Sequence, residues 1–197
     1  MVGYKSQLQK GTSQNASAMK TTHSKSLLLV WEVAEIEARR LGATELRPEH
    51  LLIGLTKSVD VNWLEAIKEG TPDRPLVMEE MLREMRRLRE RMLELGINPI
   101  KTRRALRRKA AKVKRWTEEG KLHRTETARK TFKTAEKLAT LEGHAVYPLD
   151  LLDGLLSLGD AEFGNLISEL GIKDIDRGGF CGGRQSPPAI NDQSTWN

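Results

Sequence analysis

One stretch of this chain is written twice. Leu46-Arg47-Pro48-Glu49-His50-Leu51-Leu52-Ile53-Gly54-Leu55 returns as Tyr147-Pro148-Leu149-Asp150-Leu151-Leu152-Asp153-Gly154-Leu155-Leu156, with the Pro, Leu-Leu and Gly-Leu positions at a constant offset of 100 residues. Each copy follows a helical stretch that ends in glycine (Gly42, Gly143), and each precedes a second apolar segment that begins near an aspartate (Asp60, Asp160). Such a repeat constrains the fold strongly. Each unit is too small to bury its own apolar face, so two similar halves are expected to pack about a pseudo-twofold axis.

The periodicity is helical. Leu27, Val30, Trp31, Ala34, Ala38 and Leu41 recur at three- and four-residue steps after Ser24, a good N-cap, and Gly42 suits a left-handed C-terminal cap. Pro48 fits the first turn of the next helix, where its missing N–H costs nothing, and Leu51, Leu52 and Leu55 form its buried face. Gly54 predicts close approach of another helix. A third helix is expected from about Val61 to Lys68. In the second half Thr125, Ala128, Phe132, Ala135, Ala139, Gly143 and Pro148 repeat the first set, and Phe163, Leu166 and Ile167 echo Trp63, Ala66 and Ile67.

Between the halves lies a charged segment. A long helix is expected from Leu76 to Leu95, with Met78, Met81, Met85, Leu88, Met92 and Leu95 forming a seam at alternating three- and four-residue steps. The seam serves either the domain's own core or a partner helix, since Met repacks easily around different shapes. After Gly96, Asn98 and Pro99 open a basic helix to about Trp116, with nine Lys or Arg and no acid between Lys101 and Arg115. No run of alternating β-branched residues is long enough for a substantial strand. The expected fold is therefore all-α: two pseudo-symmetric helical repeats with a long helix inserted between them. The expected boundaries are 1–22 for a flexible N-terminal arm, 23–70 for the first repeat, 71–121 for the inserted helices, 122–176 for the second repeat and 177–197 for a Gly/Pro-rich tail.

Composition removes several functions. A chain of 197 residues with 38% hydrophobic residues and a single cysteine, Cys181, can build a modest core but no internal disulfide, which fits a reducing compartment. The first 26 residues have neither acids nor an apolar signal core, and no apolar run reaches the roughly 20 residues a membrane span needs. A cytoplasmic location is expected, with an organellar stroma or matrix as the alternative. His23, His50, His123 and His144 form no zinc-ligand spacing, and no G-x-x-x-x-G-K-[ST] loop exists to cradle phosphate. Cys181 has no partner arrangement suited to a nucleophile. The expectation is a protein that is not an enzyme and needs no cofactor or metal.

The repeated residues resemble the Clp N-terminal domain, also called the Clp repeat domain, which is found at the front of Clp-type AAA+ unfoldases. The first copy offers Ser24, Leu27, Ala34, Ala38, Leu41-Gly42, Pro48-Glu49-His50-Leu51-Leu52 and Gly54-Leu55; the second offers Thr125, Ala128, Ala135, Ala139, Gly143, Pro148-Leu149-Asp150-Leu151-Leu152 and Gly154-Leu155. The likeness spans about residues 22–70 and 122–173. It departs from the family in the inserted segment, in a second repeat that lacks its final helix and in the missing ATPase, so the chain is expected to be a stand-alone member or a piece of a larger protein.

The resemblance implies a docking function. Adaptors, or unfolded or marked protein substrates, would be bound and delivered to Clp ATPase or protease subunits. In some members the Glu of the Glu-His pair receives phosphorylated arginine. Glu49 and His50 hold that place in the first repeat, and Leu149 and Asp150 in the second, so the binding site is expected to be lopsided. A carboxylate at Glu49 would be favoured by the helix dipole and placed to accept guanidinium N–H groups. His50 is expected to pack or cap near its helix start. The rival reading is a nucleic-acid-binding protein using Lys101, Arg103, Arg104, Arg107 and Arg108 on the basic helix, although no aromatic residue interleaves them.

Overall fold

In the computed structural model, which describes residues 22–61, 74–110 and 122–172, the chain is built from helices that cap where the sequence says they should. They are α1 (Lys25–Arg40), α2 (Pro48–Ser58), α3 (Arg74–Glu94), α4 (Pro99–Ala110), α5 (Glu126–Glu142), α6 (Pro148–Leu156) and α7 (Ala161–Glu169). Ser24 Oγ accepts from the Leu27 N–H, and Thr125 Oγ1 from the Ala128 N–H, at 3.2 Å each. Asn98 Oδ1 accepts from the Lys101 N–H at 3.0 Å and Asp160 Oδ1 from the Phe163 N–H at 2.9 Å. Gly42 and Gly143 take φ of 73° and 72°, the left-handed conformation that closes α1 and α5 at little cost only for glycine. The helix expected near Val61–Lys68, the end of the basic helix toward Trp116, the N-terminal arm and the Gly/Pro tail lie outside the described residues.

The two halves are related as the repeat requires. α1 packs on α2 as α5 packs on α6, and α2 and α6 meet in the middle. A Cβ at Gly54 would fall 2.7 Å from the Val30 carbonyl oxygen and 2.9 Å from Ala34 Cβ. At Gly154 it would fall 2.8 Å from the Thr131 carbonyl oxygen and 3.3 Å from the Ala135 nitrogen. Each glycine therefore admits helix backbone where any side chain would force the pair apart.

Backbone pairing across the halves is reciprocal. Strand β1 (Glu45–Leu46) runs parallel to β2 (His123–Arg124), while His23 bridges Val146 in the same sense. The Ser24 N–H donates to the Val146 carbonyl and the Thr125 N–H to the Leu46 carbonyl, at 3.0 Å each. The segment before α1 thus pairs with that before α6, and the segment before α5 with that before α2, the signature of a self-complementary twofold contact. The equivalent residues Trp31 and Phe132 meet with ring centroids 4.8 Å apart, and the Arg124 guanidinium lies 4.7 Å from the Trp31 ring centroid. Two-residue strands are too short to show a period in sequence, and they leave the fold all-α in character.

The charged segment belongs to the core. Val77, Met81, Met85, Leu88, Met92 and Leu95 are buried where α3 lies along α1 and α6. Met78, placed in the seam by its spacing, is only partly buried, and Val77 takes the inward place. The reading of this seam as a surface for a partner helix is therefore corrected: its apolar residues already pack against their own chain. α4 lies on α2 and buries Leu106 and Thr102.

Alanine at Gly154 should destabilise the protein by about 1–3 kcal/mol, because backbone must move to admit one methyl. Gly164 is helical and open, with nothing within 4 Å of an added Cβ. There the same change should be neutral or gain up to about 1 kcal/mol from helix propensity. Urea unfolding of the two variants checks the contrast.

Candidate functional site

The N-terminus of α2 is assembled from Arg47, Pro48, Glu49 and His50. His50 is buried, and its Nδ1 accepts the Arg47 N–H at 3.1 Å, so the ring caps the helix. Burial, aided by the Arg47 charge, holds its pKa down to about 4 and keeps the imidazole neutral for that role. Asp150 does the same in α6: it is buried, and its Oδ2 accepts the Tyr147 N–H at 2.8 Å. These two side chains, named from sequence as binding residues, thus hold the starts of their helices. Glu49 and Leu149, one position earlier, are half-buried.

Glu49 is placed differently. Its Oε2 is buried and has no hydrogen-bond partner among the described residues. Burial raises its pKa above the ordinary carboxylate value; its own backbone N–H and the Arg47 charge oppose this, and Glu162 and Asp160 reinforce it. The stabilisation expected from the helix dipole is thus outweighed by desolvation. Glu49 lines a cavity of about 360 Å³ between the α2 start, α4 and α7, a volume that suits a small ligand or one inserted side chain. Its walls include Leu106, Arg47, Lys109, Glu162 and Glu169. Glu49 and His50, which both line it, were singled out by sequence, and Arg47 stands beside them at the α2 start; Leu106, Lys109, Glu162 and Glu169 come from α4 and α7, far apart in the chain, where no spacing rule could join them.

The corresponding place in the second repeat is made of different chemistry. Leu149 stands where Glu49 does, and His144 stacks on Tyr147 with centroids 4.7 Å apart. His144 Nδ1 lies 2.7 Å from the Ala145 carbonyl oxygen and Nε2 2.9 Å from Glu142 Oε2. Both nitrogens face acceptors, a pattern only the imidazolium satisfies in full.

The basic helix is not one continuous cationic face. Arg107 donates to Glu37 Oε2 through Nε at 3.0 Å and Nη2 at 2.7 Å, and Lys57 Nζ reaches Glu37 Oε1 at 2.7 Å. Arg103 pairs with Asp60 at 2.6 Å and donates to the Thr56 carbonyl, and Lys109 pairs with Glu169. The five-residue nucleic-acid face drawn from sequence is corrected accordingly: Arg103 and Arg107 are committed to acids of the same chain, while Lys101, Arg104 and Arg108 remain as a separate set. No group of His, Cys, Asp and Glu suited to a metal ion occurs among the described residues, and no helix there is long and apolar enough to cross a membrane.

Known structures share this fold. The Hsp104 N-terminal domain from Candida albicans superimposes with a TM-score of 0.53 at 13% identity, covering 77% of this chain and 83% of that one. The N-terminal domain of the caseinolytic protease-associated chaperone ClpD from Arabidopsis thaliana gives 0.51 at 15% identity, over 80% and 90%. The fold is that of a Clp N-terminal-like domain. A structure from a malarial protein secretion system also matches, at 0.54 and 15% identity, over 78% and 87%. No protein-family model and no curated protein matches the sequence. The shared fold therefore rests on shape and on the internal repeat more than on residue identity.

The His144 geometry has a consequence in pH. Partial burial works against its charge, but the hydrogen bonds to Glu142 and Ala145, with the nearby Asp150 charge, raise its pKa above the ordinary 6.5. A raised folded-state value means that folding favours the bound proton. Its stabilisation is complete below the unfolded value of 6.5 and is lost as pH rises through the folded one. Wild type should exceed His144→Gln in stability by more at about pH 6 than at about pH 9. An equal difference at both pH values would rule this out.

Proposed function

We propose that this chain is a non-catalytic docking module that takes a cationic side chain of a protein partner into the Glu49 cavity. The observation that carries the reading is the buried, unpartnered Glu49 Oε2 on the wall of an open cavity. A carboxylate in that condition costs stability, and a guanidinium or ammonium group would restore its missing hydrogen bonds. Glu162 and Glu169 add acidic character to the same walls, and Leu106 offers apolar surface for an aliphatic stem.

Arg47 and Lys109 also line the cavity. Arg47 suits a phosphate carried on the inserted group, and Lys109, which pairs with Glu169 at the exposed rim, could turn to it, so phosphorylated arginine fits the combination of one buried acid and nearby cations. The likeness to Clp-type N-terminal domains supports a role in passing such partners to a Clp ATPase or protease subunit. The relatives' descriptions, one a protease-associated chaperone and another part of a protein secretion system, agree with a task in protein handling.

The test is isothermal titration of the full chain with three short peptides, identical except for phosphoarginine, arginine or alanine at one position. Phosphoarginine should bind tightest and alanine weakest. Glu49→Gln should weaken both arginine forms by about tenfold or more while unfolding at the same or higher urea concentration, because an unpaired buried carboxyl has been removed. If Glu49→Gln binds like wild type, the reading fails.

A further inference from the structure

Helix α4 divides its cations into two sets. Arg103, Arg107 and Lys109 hold Asp60, Glu37 and Glu169. Lys101, Arg104 and Arg108 are exposed or rim positions at three- and four-residue steps, so they form one stripe along the helix, and none has an ion-pair partner among the described residues. All three line an open cleft of about 850 Å³ between α4 and the end of α7, together with Ala105, Glu169 and Leu170.

We propose that this cleft is a docking surface for an acidic, partly apolar segment of a partner protein. Charge complementarity selects the partner. The stripe covers roughly 10 Å of helix, comparable with the screening length of about 8 Å at physiological salt, so the three fields add. They raise the local potential for an approaching run of carboxylates. The other walls distinguish a peptide from a nucleic acid. Glu169 places a carboxylate where a phosphodiester chain would have to pass, none of the lining residues is an aromatic on which a base could stack, and Ala105 and Leu170 give apolar side chains a place to lie. The Lys109–Glu169 pair stands between this cleft and the Glu49 cavity: Lys109 lines only the latter, Glu169 lines both. The proposal does not depend on Glu49.

Fluorescence anisotropy of the full chain with a labelled peptide of about 12 residues, Glu and Asp interspersed with Leu, tests it. Binding should weaken steeply between about 50 and about 300 mM salt. The triple reversal K101E/R104E/R108E should weaken it by at least about tenfold, and the triple alanine variant by less. Exposed Lys130, Lys133 and Lys137 on α5 have the same spacing, so K130E/K133E/K137E is a matched control that should stay within about twofold of wild type. Circular dichroism verifies that each variant is folded, and E49Q should bind the acidic peptide normally. Absence of binding, or equal loss in both reversals, overturns the site. Tighter binding of a single-stranded oligonucleotide of equal charge, lost in the α4 reversal, overturns the choice of partner.

Discussion

The structure depends on two places where helices touch backbone to backbone. Gly54 lies against the Val30 carbonyl and Ala34, and Gly154 against the Thr131 carbonyl and Ala135. These contacts draw α2 onto α1 and α6 onto α5, and thereby let the two proline-started helices meet in the middle. A wider separation within either pair would displace the loops before α2 and α6. Those loops make the reciprocal bonds from Ser24 to Val146 and from Thr125 to Leu46. The absence of a side chain at two positions thus propagates to the interface between halves, and from there to the α2 start where Glu49 stands.

On this symmetric frame the charges are laid out asymmetrically. α4 brings cations to one half, and no counterpart to it follows α7 among the described residues. Part of that charge is structural: Arg107 and Lys57 surround Glu37, and Arg103 ties Asp60. The remainder faces solvent as the Lys101, Arg104 and Arg108 stripe. The outcome is an acid-containing cavity and a basic cleft on either side of the Lys109–Glu169 pair. A partner that carried a cation followed by acidic residues would find both signs within one surface. A pseudo-symmetric frame alone could not supply that polarity, since it would present the same sign twice.

Much of the frame was legible because local rules decide it. Ser24, Thr125, Pro48, Pro148, Gly42 and Gly143 each act on the turn in which they stand, and helical spacing identified Leu27, Val30, Ala34 and Ala38 as buried. The seam of α3 was legible as apolar but not as to what covers it, because periodicity gives a face and not the neighbour. The β1–β2 and His23–Val146 pairings were hidden by their brevity. At the candidate site, Glu49 was named through a family resemblance; His50, named with it for binding and expected to pack or cap, caps the α2 start. The walls from Leu106, Lys109 and Glu162 were not found, because their juxtaposition is created by tertiary packing. The split of the basic helix was likewise invisible: Arg103 and Arg107 differ from Arg104 and Arg108 only in the direction they face.

Two glutamates show why the cavity deserves a functional reading and the charge network does not. Both are withdrawn from water, which by itself raises a carboxyl pKa. At Glu37, hydrogen bonds and charge from Lys57 and Arg107 more than offset that burial and bring the pKa below the ordinary value. Its charge is therefore balanced within the chain, joining α1, α2 and α4. At Glu49 the same desolvation meets only its own backbone N–H and a more distant Arg47 charge, and the pKa stays raised. Glutamine there would keep the shape and lose the penalty. A fold selected for stability alone has no use for such a group at the wall of a cavity, whereas a binding site does, because the missing partner can arrive with the ligand. The equivalent position in the second repeat is Leu149, with no charge to satisfy, so the proposed binding site belongs to the first half of the duplication.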